Sequence, residues 1–330
     1  MQRNILFIID DLELKYFEFN DLITDFWLIK EFLHRNNKVS VAIKGDLFIE
    51  NAQGCVFSRT VYLEDNNIFC NKEQSKHLIN DFDVVFFRPD PPVDTNYINA
   101  CYVFDYVNRF KTFLINDPSE VRNFNEKFHI NYFPEFVPEN IVTSNTELII
   151  KFVEEHKEAI LKPLNRCFGS GVYYLNSEDK NLLTIINNMT EEGKTQVMLQ
   201  KYLKEAQYGD KRVLIIGDKV MDECIQKLPA EHNFKFAQHS DRYFKKTVLT
   251  KNERNMAESI AQKLSKVGLY LVGLDVINEK VIEINVTSPC YFIREINQNY
   301  GIHFEDTVMS NLEALIENHF ESIKAYALNK

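Results

Sequence analysis

Three oxygen-bearing side chains, Asp275, Glu283 and Asn285, stand in the stretch LVGLDVINEKVIEINVTSP. The surrounding residues are Val, Ile and Leu on either side of the polar Asn278-Glu279-Lys280, a pattern that reads as two β-strands and a turn. Strand side chains alternate faces, so Glu283 and Asn285 share one face while Ile282, Ile284 and Val286 share the other. With Asn278–Lys280 as the loop, Asp275 lies across from Glu283. Two carboxylates side by side repel, and burial makes the repulsion worse. A divalent cation would resolve the conflict. Hard oxygen ligands suit Mg²⁺, which takes one or two carboxylates and completes its shell with phosphate oxygens and water. The alternative is a solvent-facing sheet surface that carries acids by chance.

Other residues suggest where a phosphate would come from. Lys127 lies in VRNFNEKF, and Lys162 lies in ILKPLNRCFGSGV. A lysine at a strand end, followed by Gly169, Ser170 and Gly171, suits a polyphosphate: the lysine brings charge, and small residues let backbone N–H groups approach oxygens. TQVMLQKYL then reads as a strand running into a linker that suits an adenine, and Asp210, Lys211 and Arg212 precede a further strand. Taken singly, each of these has an ordinary structural explanation. The informative feature is their order along the chain.

The elements that must position these residues alternate. Asn4–Ile9, Lys38–Ile43, Phe82–Phe87 and Thr112–Ile115 are strand-like, and Asp21–Arg35 and Asn96–Arg109 are helix-like between them. This alternation predicts a doubly wound α/β layer. A second unit begins near Asn116-Asp117-Pro118, with a helix over Thr146–Glu158 and strands at Ala159–Lys162 and Thr195–Lys201. A third holds strands at Arg212–Ile216 and Met221–Lys227, a helix over Lys251–Val267, the acidic hairpin, and a last helix over Glu305–Phe320.

The totals narrow the function classes. A chain of 330 residues suits two or three domains. A net charge of −10 argues against broad nucleic-acid binding, which needs a basic face. No apolar run is long enough to span a bilayer, and the N-terminus reads as a first strand rather than a signal peptide, so a cytoplasmic protein is expected. The six cysteines form no CxxC pair and no zinc-spaced cluster, which fits reduced thiols.

The stretches FFRPDPPVDTNYINACY, INDPSEVRNFNEKF, ILKPLN…GSGV, QKYL…GDKRVL, VGLDVI and EINVTSPCYFIREI resemble, in order, those of bacterial-type glutathione synthetases of the ATP-grasp superfamily. The resemblance implies a mixed α/β, ATP-grasp fold. It divides into an N-terminal Rossmann-like domain at 1–120, a central lid domain at 121–203 and a C-terminal catalytic domain at 204–330. It implies an ATP-dependent carboxylate–amine ligase with ATP and Mg²⁺, or Mn²⁺, as cofactors. Its partners would be small-molecule or short-peptide carboxylates and amines, with no nucleic acid and no membrane, and the protein would be a homo-oligomer. Carried over, Lys127 and Lys162 contact the nucleotide phosphates with Gly169, Ser170 and Gly171 in the loop beside them. Gln200, Lys201, Tyr202 and Leu203 line the adenine pocket, and Asp210 faces the ribose. Asp275, Glu283 and Asn285 hold the metal. Arg212, Lys227 and Arg294 act on the phosphate and substrate side, with Ser288 near the acyl phosphate.

Two segments depart from the family pattern. Asn165, Arg166, Cys167 and Phe168 replace a glycine-rich lid loop. Lys227 stands where the family has an arginine, and after Glu231 the residues Asn233 and Lys235 replace an arginine and an asparagine. Lysine lacks the planar fork that grips an oxyanion at two points. Formation of glutathione from γ-glutamylcysteine and glycine is the expected reaction. The alternatives are a ligase with another acceptor amine and a non-catalytic nucleotide-binding homologue.

Overall fold

The computed structural model describes residues 2–167, 169–229 and 243–328. Three sheets, of eight, four and six strands, carry the described chain. At the centre of the first, Lys38–Ile43, Asn4–Ile9, Val84–Phe87 and Phe113–Ile115 run parallel in that order. Residues 5–9, Val84–Phe87 and Phe113–Ile115 read as unbroken apolar runs, as suits a parallel sheet covered on both faces, whereas Lys38–Ile43 alternates. Ile5 to Ile9 are all fully buried, and Phe7 stacks on Phe86 with ring centroids 4.5 Å apart. The helix Thr24–His34 buries Phe26 and Ile29 against the sheet, as its spacing predicts.

Residues 47–78, to which the sequence reading assigned no element, form antiparallel hairpins that extend one edge. Left-handed pairs at Asn51-Ala52 and Asp65-Asn66 turn two of them. The helix expected over Asn96–Arg109 is shorter: it spans Thr95–Val103 and tightens to a 3₁₀ turn at Phe104–Tyr106.

The second sheet orders Tyr173–Asn176, Glu158–Pro163, Val197–Lys201 and Asn140–Thr143, all antiparallel, with the helices Thr146–His156 and Leu182–Met189 over it. In the third, Asp210–Ile216 pairs with Cys224–Lys227 on one side and Leu271–Ile277 on the other, and Leu271–Ile277 pairs with Lys280–Asn285. Lys251–Ser265 begins with a reciprocal cap, Thr250 Oγ1 accepting from Glu253 N while Glu253 Oε2 accepts from Thr250 N.

Asn116 joins the first sheet to the third. Its Nδ2 donates to Leu271 O and Val286 O at 2.8 and 2.7 Å, and its Oδ1 accepts from Tyr270 N and Leu271 N. Buried amides are tolerated only when satisfied in this way. The acidic hairpin is thereby fixed to the end of the last parallel strand.

Candidate active site: a cleft between the acidic hairpin and the lid sheet

Asp275 does lie opposite Glu283, though by a different device from the one the sequence suggests. The turn is the two residues Asn278-Glu279, both left-handed at φ +47° and +59°, a conformation asparagine adopts readily. A bulge beside Asp275/Val276 then inserts one extra residue on the returning strand and restores the register. The bulge also re-aims Ile282. It lines the cleft with Glu283 rather than sharing the back face of Ile284 and Val286.

Protein cations meet both acids. Arg212 forks onto Asp275, with Nε 2.8 Å from Oδ1 and Nη2 3.2 Å from Oδ2. Lys227 Nζ sits 2.9 Å from Asp275 Oδ1 and 2.8 Å from Asp210 Oδ2, and Asn285 Nδ2 is 3.3 Å from Asp275 Oδ2. Burial pushes the Asp275 carboxyl up, but Arg212 and Lys227 outweigh it and hold the group well below the usual range. Burial raises Asp210 to about 7 even with Lys227 beside it. Glu283 pairs with Lys127 Nζ at 2.9 Å. The repulsion read from the sequence is therefore compensated by side chains, and a metal is not needed to explain the hairpin.

Two glycines make this arrangement possible. Gly209 has φ +92°, and a Cβ there would lie 1.9 Å from Lys227 O, so only glycine lets Asp210 pair with Lys227 in register. A Cβ on Gly273 would stand 3.0 Å from Arg212 Nη1, in the space the guanidinium uses.

Lys127 is positioned by its neighbour. Glu126 Oε1 accepts from Val286 N, Thr287 N and Thr287 Oγ1, which ties the NEKF segment to the strand carrying Glu283. Lys127 Nζ also donates to Arg166 O at 2.7 Å. Burial lowers its pKa, but Glu283 and Glu126 prevail and raise it. Lys162 differs: among the described residues its Nζ bonds only a carbonyl, Ile282 O at 3.2 Å, and burial lowers its pKa to about 8.

A cleft of about 320 Å³ runs past these groups. Ile160, Gln200, Lys201, Tyr202, Leu203 and Ile282 form one end, and Lys162, Asp210, Arg212, Lys227, Asp275, Glu283 and Asn285 form the middle. Gln200 is buried and donates to Ile282 O, whereas the Lys201 ammonium turns outward to Glu139 at 2.6 Å, leaving its backbone to the cleft. Gly169 and Cys167 line the cleft. Ser170 and Gly171 stand outside that lining, and the Ser170 N–H is used in a turn to Cys167 O. Lys127 lines an adjoining recess with Asn165 and Arg166. Arg294 also lies outside the cleft lining and pairs with Glu295 at 2.8 Å. In the lid loop the left-handed conformations fall on Gly169 and Gly171, so Arg166 need not adopt one. Phe168, Glu231, Asn233 and Lys235 lie outside the described residues.

At the far end of the cleft, Ser288 alone was anticipated. Ser288, Pro289, Cys290 and Asp90 form this end, and Arg88 lies behind, wholly buried, paired with Asp25 and donating to Pro289 O at 3.1 Å. The RPDPP motif marked this loop in the sequence, but Asp25 sits far away in a helix with no motif of its own.

Family comparisons agree with this geometry. The family model for the prokaryotic glutathione synthetase N-terminal domain matches residues 4–122, and that for its ATP-grasp domain matches residues 126–301. The chain belongs to the prokaryotic glutathione synthetase family. It is 31% identical over 293 residues to the glutathione synthetase of Buchnera aphidicola, covering 88% of this chain and 90% of that one. It is 30% identical to that of Escherichia coli K12, with 89% and 93% covered. Among solved structures, a D-cycloserine synthetase matches with TM-score 0.65 at 15% identity over 96% of this chain and 99% of that chain. The D-alanyl-alanine synthetase A of Vibrio cholerae matches with TM-score 0.59 at 13% identity, with 96% and 99% covered. The fold is thus an ATP-grasp fold, and this family member is an ATP-dependent C–N ligase that binds ATP. Among the described residues no helix is long and apolar enough to cross a membrane.

Proposed function

We propose that this synthetase joins γ-glutamylcysteine to glycine to make glutathione, using ATP with Mg²⁺ or Mn²⁺. The observation that carries the reading is the single cleft in which Lys162, Arg212 and Lys227 meet Asp275, Glu283 and Asn285, with an apolar wall at one end and the Ser288–Cys290 loop at the other. The donor set fits a hard cation. Among the described residues no three His, Cys, Asp or Glu cluster, so the metal would rest on two carboxylates and the Asn285 amide, with phosphate and water completing its shell. Bound there, it would neutralise phosphate oxygens during transfer.

The chain's own residues supply the rest. Ile160, Leu203 and Ile282 would hold the adenine, and Gln200 and the backbone of 201–203 its polar edge. Lys162 and Lys127 would offset the phosphate charge that repels an incoming carboxylate, with Gly169 at the cleft wall beside them. Asp210 would meet the ribose. The donor carboxylate oxygen forms a bond to the γ-phosphorus as the bond to ADP breaks. The amine nitrogen then attacks the acyl carbon, phosphate leaves with the bonding pair, and the amine gives up a proton. Arg212 and Lys227, which line the cleft, would steady the negative oxygens of donor and phosphate. No protein nucleophile is required, so catalysis rests on positioning and charge.

We also infer three units at 1–120, 121–203 and 204–330, a cytoplasmic location and a homo-oligomer, as in the reading of the sequence. The test is ADP release from purified protein supplied with ATP and Mg²⁺. γ-Glutamylcysteine with glycine should give ADP and a glutathione mass, and either alone should give little. ADP only with another amine would move the reading to a ligase of different acceptor, which Lys227 in place of the family's arginine favours. No ADP with any pairing, and ATP still bound, would leave a non-catalytic homologue.

A further inference from the structure

Among the described residues, the two oxygens of Asp275 receive four donors: Arg212 Nε and Lys227 Nζ on Oδ1, and Arg212 Nη2 and Asn285 Nδ2 on Oδ2. An ionised carboxylate offers about four lone-pair sites, so this one is saturated. A metal ion seeking Asp275 must displace a donor. The four are not equally free to yield. Arg212 holds both oxygens through one planar fork and is fixed further by Nη1 on Cys290 O at 3.2 Å. Asn285 can turn its amide and present an oxygen to the same ion, which frees a site on Oδ2 but leaves Oδ1 filled by Arg212 and Lys227. Lys227 is a point charge on a flexible stem, and it has a second carboxylate, Asp210, at 2.8 Å. It alone can leave Asp275 and keep a charged partner.

The wider charge pattern agrees. Around the hairpin, Glu126, Asp210, Asp275 and Glu283 face Lys127, Lys162, Arg212 and Lys227, so this part of the cleft offers no excess negative charge to a free cation. A nucleotide polyphosphate supplies both the missing charge and further oxygen ligands.

We propose that Lys227 withholds Asp275 from divalent cations until nucleotide arrives, its ammonium holding the lone pair the metal needs and passing to Asp210 when phosphate brings the metal in. Lys227 is thus a positioning residue that makes metal binding depend on nucleotide. The inference rests on the assignment of Asp275, Glu283 and Asn285 as the metal site.

Mn²⁺ titrations followed by electron paramagnetic resonance test it, because hexaaqua Mn²⁺ loses its sharp signal on binding. Wild-type protein alone should bind Mn²⁺ weakly. Lys227→Gln and Lys227→Met, also without nucleotide, should bind it about tenfold more tightly or better, within the usual range of coupling between ligands. Lys227→Arg, which keeps a cation there, should behave as wild type. Thermal melts establish that each variant is folded, and the wild-type titration stands if one is not. A wild type that binds Mn²⁺ tightly on its own overturns the proposal. So does a folded Lys227→Gln or Lys227→Met with no gain. With protein in excess over AMPPNP, the wild type should show a protein-bound Mn²⁺ spectrum. If it does while the Lys227 variants show no gain, only the role of Lys227 falls. If it does not, the metal site falls as well.

Discussion

Two groups of carboxylates, one lining the middle of the cleft and one lying behind its Asp90 end, are handled in opposite ways. At the hairpin, Asp275 and Glu283 each have a cation within 2.9 Å, and Asp275 is held strongly acidic. At the N-terminal wall, Asp10, Glu13, Asp25 and Asp90 share only Arg88, on Asp25, and Lys44, on Asp10. There burial, with the neighbouring acids, raises Asp90 to about 7 and Glu13 to about 9. The contrast lies in the elements. Antiparallel strands set Arg212 directly opposite Asp275 and Lys227 opposite Asp210, two residues along on the same face. The N-terminal acids hang from loops and a helix start after parallel strands, where no paired strand delivers cations. Buried acids alone therefore do not announce a metal. What distinguishes the two ends is how many cations the local architecture brings within hydrogen-bond reach.

The largest effects should come from breaking each group's central pair. Arg88→Met strands Asp25 among other acids without its cation, and losing one partner of a buried pair costs about 3–5 kcal/mol. Chemical denaturation should show that loss, and an unchanged midpoint would mean Asp25 is already neutral. At the other end, Glu283→Gln keeps the shape and removes one charge. Ligation should fall on the order of 10²–10³-fold, the scale of losing one electrostatic stabiliser, with Lys127 keeping the Arg166 carbonyl and the charge of Glu126 and thermal melts checking that the variant is folded. Unchanged ADP release by this variant would remove Glu283 from the chemistry.

Much of this contrast was legible in the sequence at the hairpin and little of it at the N-terminal wall. The Asp275–Glu283 pair lies within one hairpin, where alternation and turn length fix who faces whom. Even there, the bulge that re-aims Ile282 left no local signal. The central strands were legible because a parallel strand is an apolar run, whereas the hairpins of residues 47–78 are edge strands with mixed polarity. Long-range partners were not legible at all. Asn116 binding the backbone at Leu271 and Val286, Glu126 binding Thr287, and Asp25 pairing with Arg88 depend on how separate units dock. The cations that meet these acids were not legible for the same reason: Arg212, Lys227 and Lys127 reach the hairpin from other strands and loops.

The comparison sharpens further with pH. Glu13 ordinarily titrates at 4.5 and is raised to about 9 in the fold, so between those values the folded chain holds a proton that the unfolded chain has released. Stability must then fall as pH rises through that window. Glu13→Gln should flatten the decline in melting temperature between pH 6 and 9. An equally steep decline in the variant would place the titrating group elsewhere.

The smallest expected effect separates Lys162 from the other cations of the cleft. Burial lowers it to about 8, whereas Lys127 and Lys227 are raised by their acids and stay charged. A polyphosphate binds the charged form, so above pH 8 nucleotide binding must draw a proton from solution. Affinity for ADP should fall about threefold between pH 7.5 and 8.5, as expected for one group titrating at 8. Calorimetry in buffers of different ionisation enthalpy should show the proton uptake. Lys162→Met should bind more weakly and lose this step. A step that survives in Lys162→Met but is centred near 7 would belong to Asp210, whose carboxyl ionises there and adds negative charge beside the nucleotide.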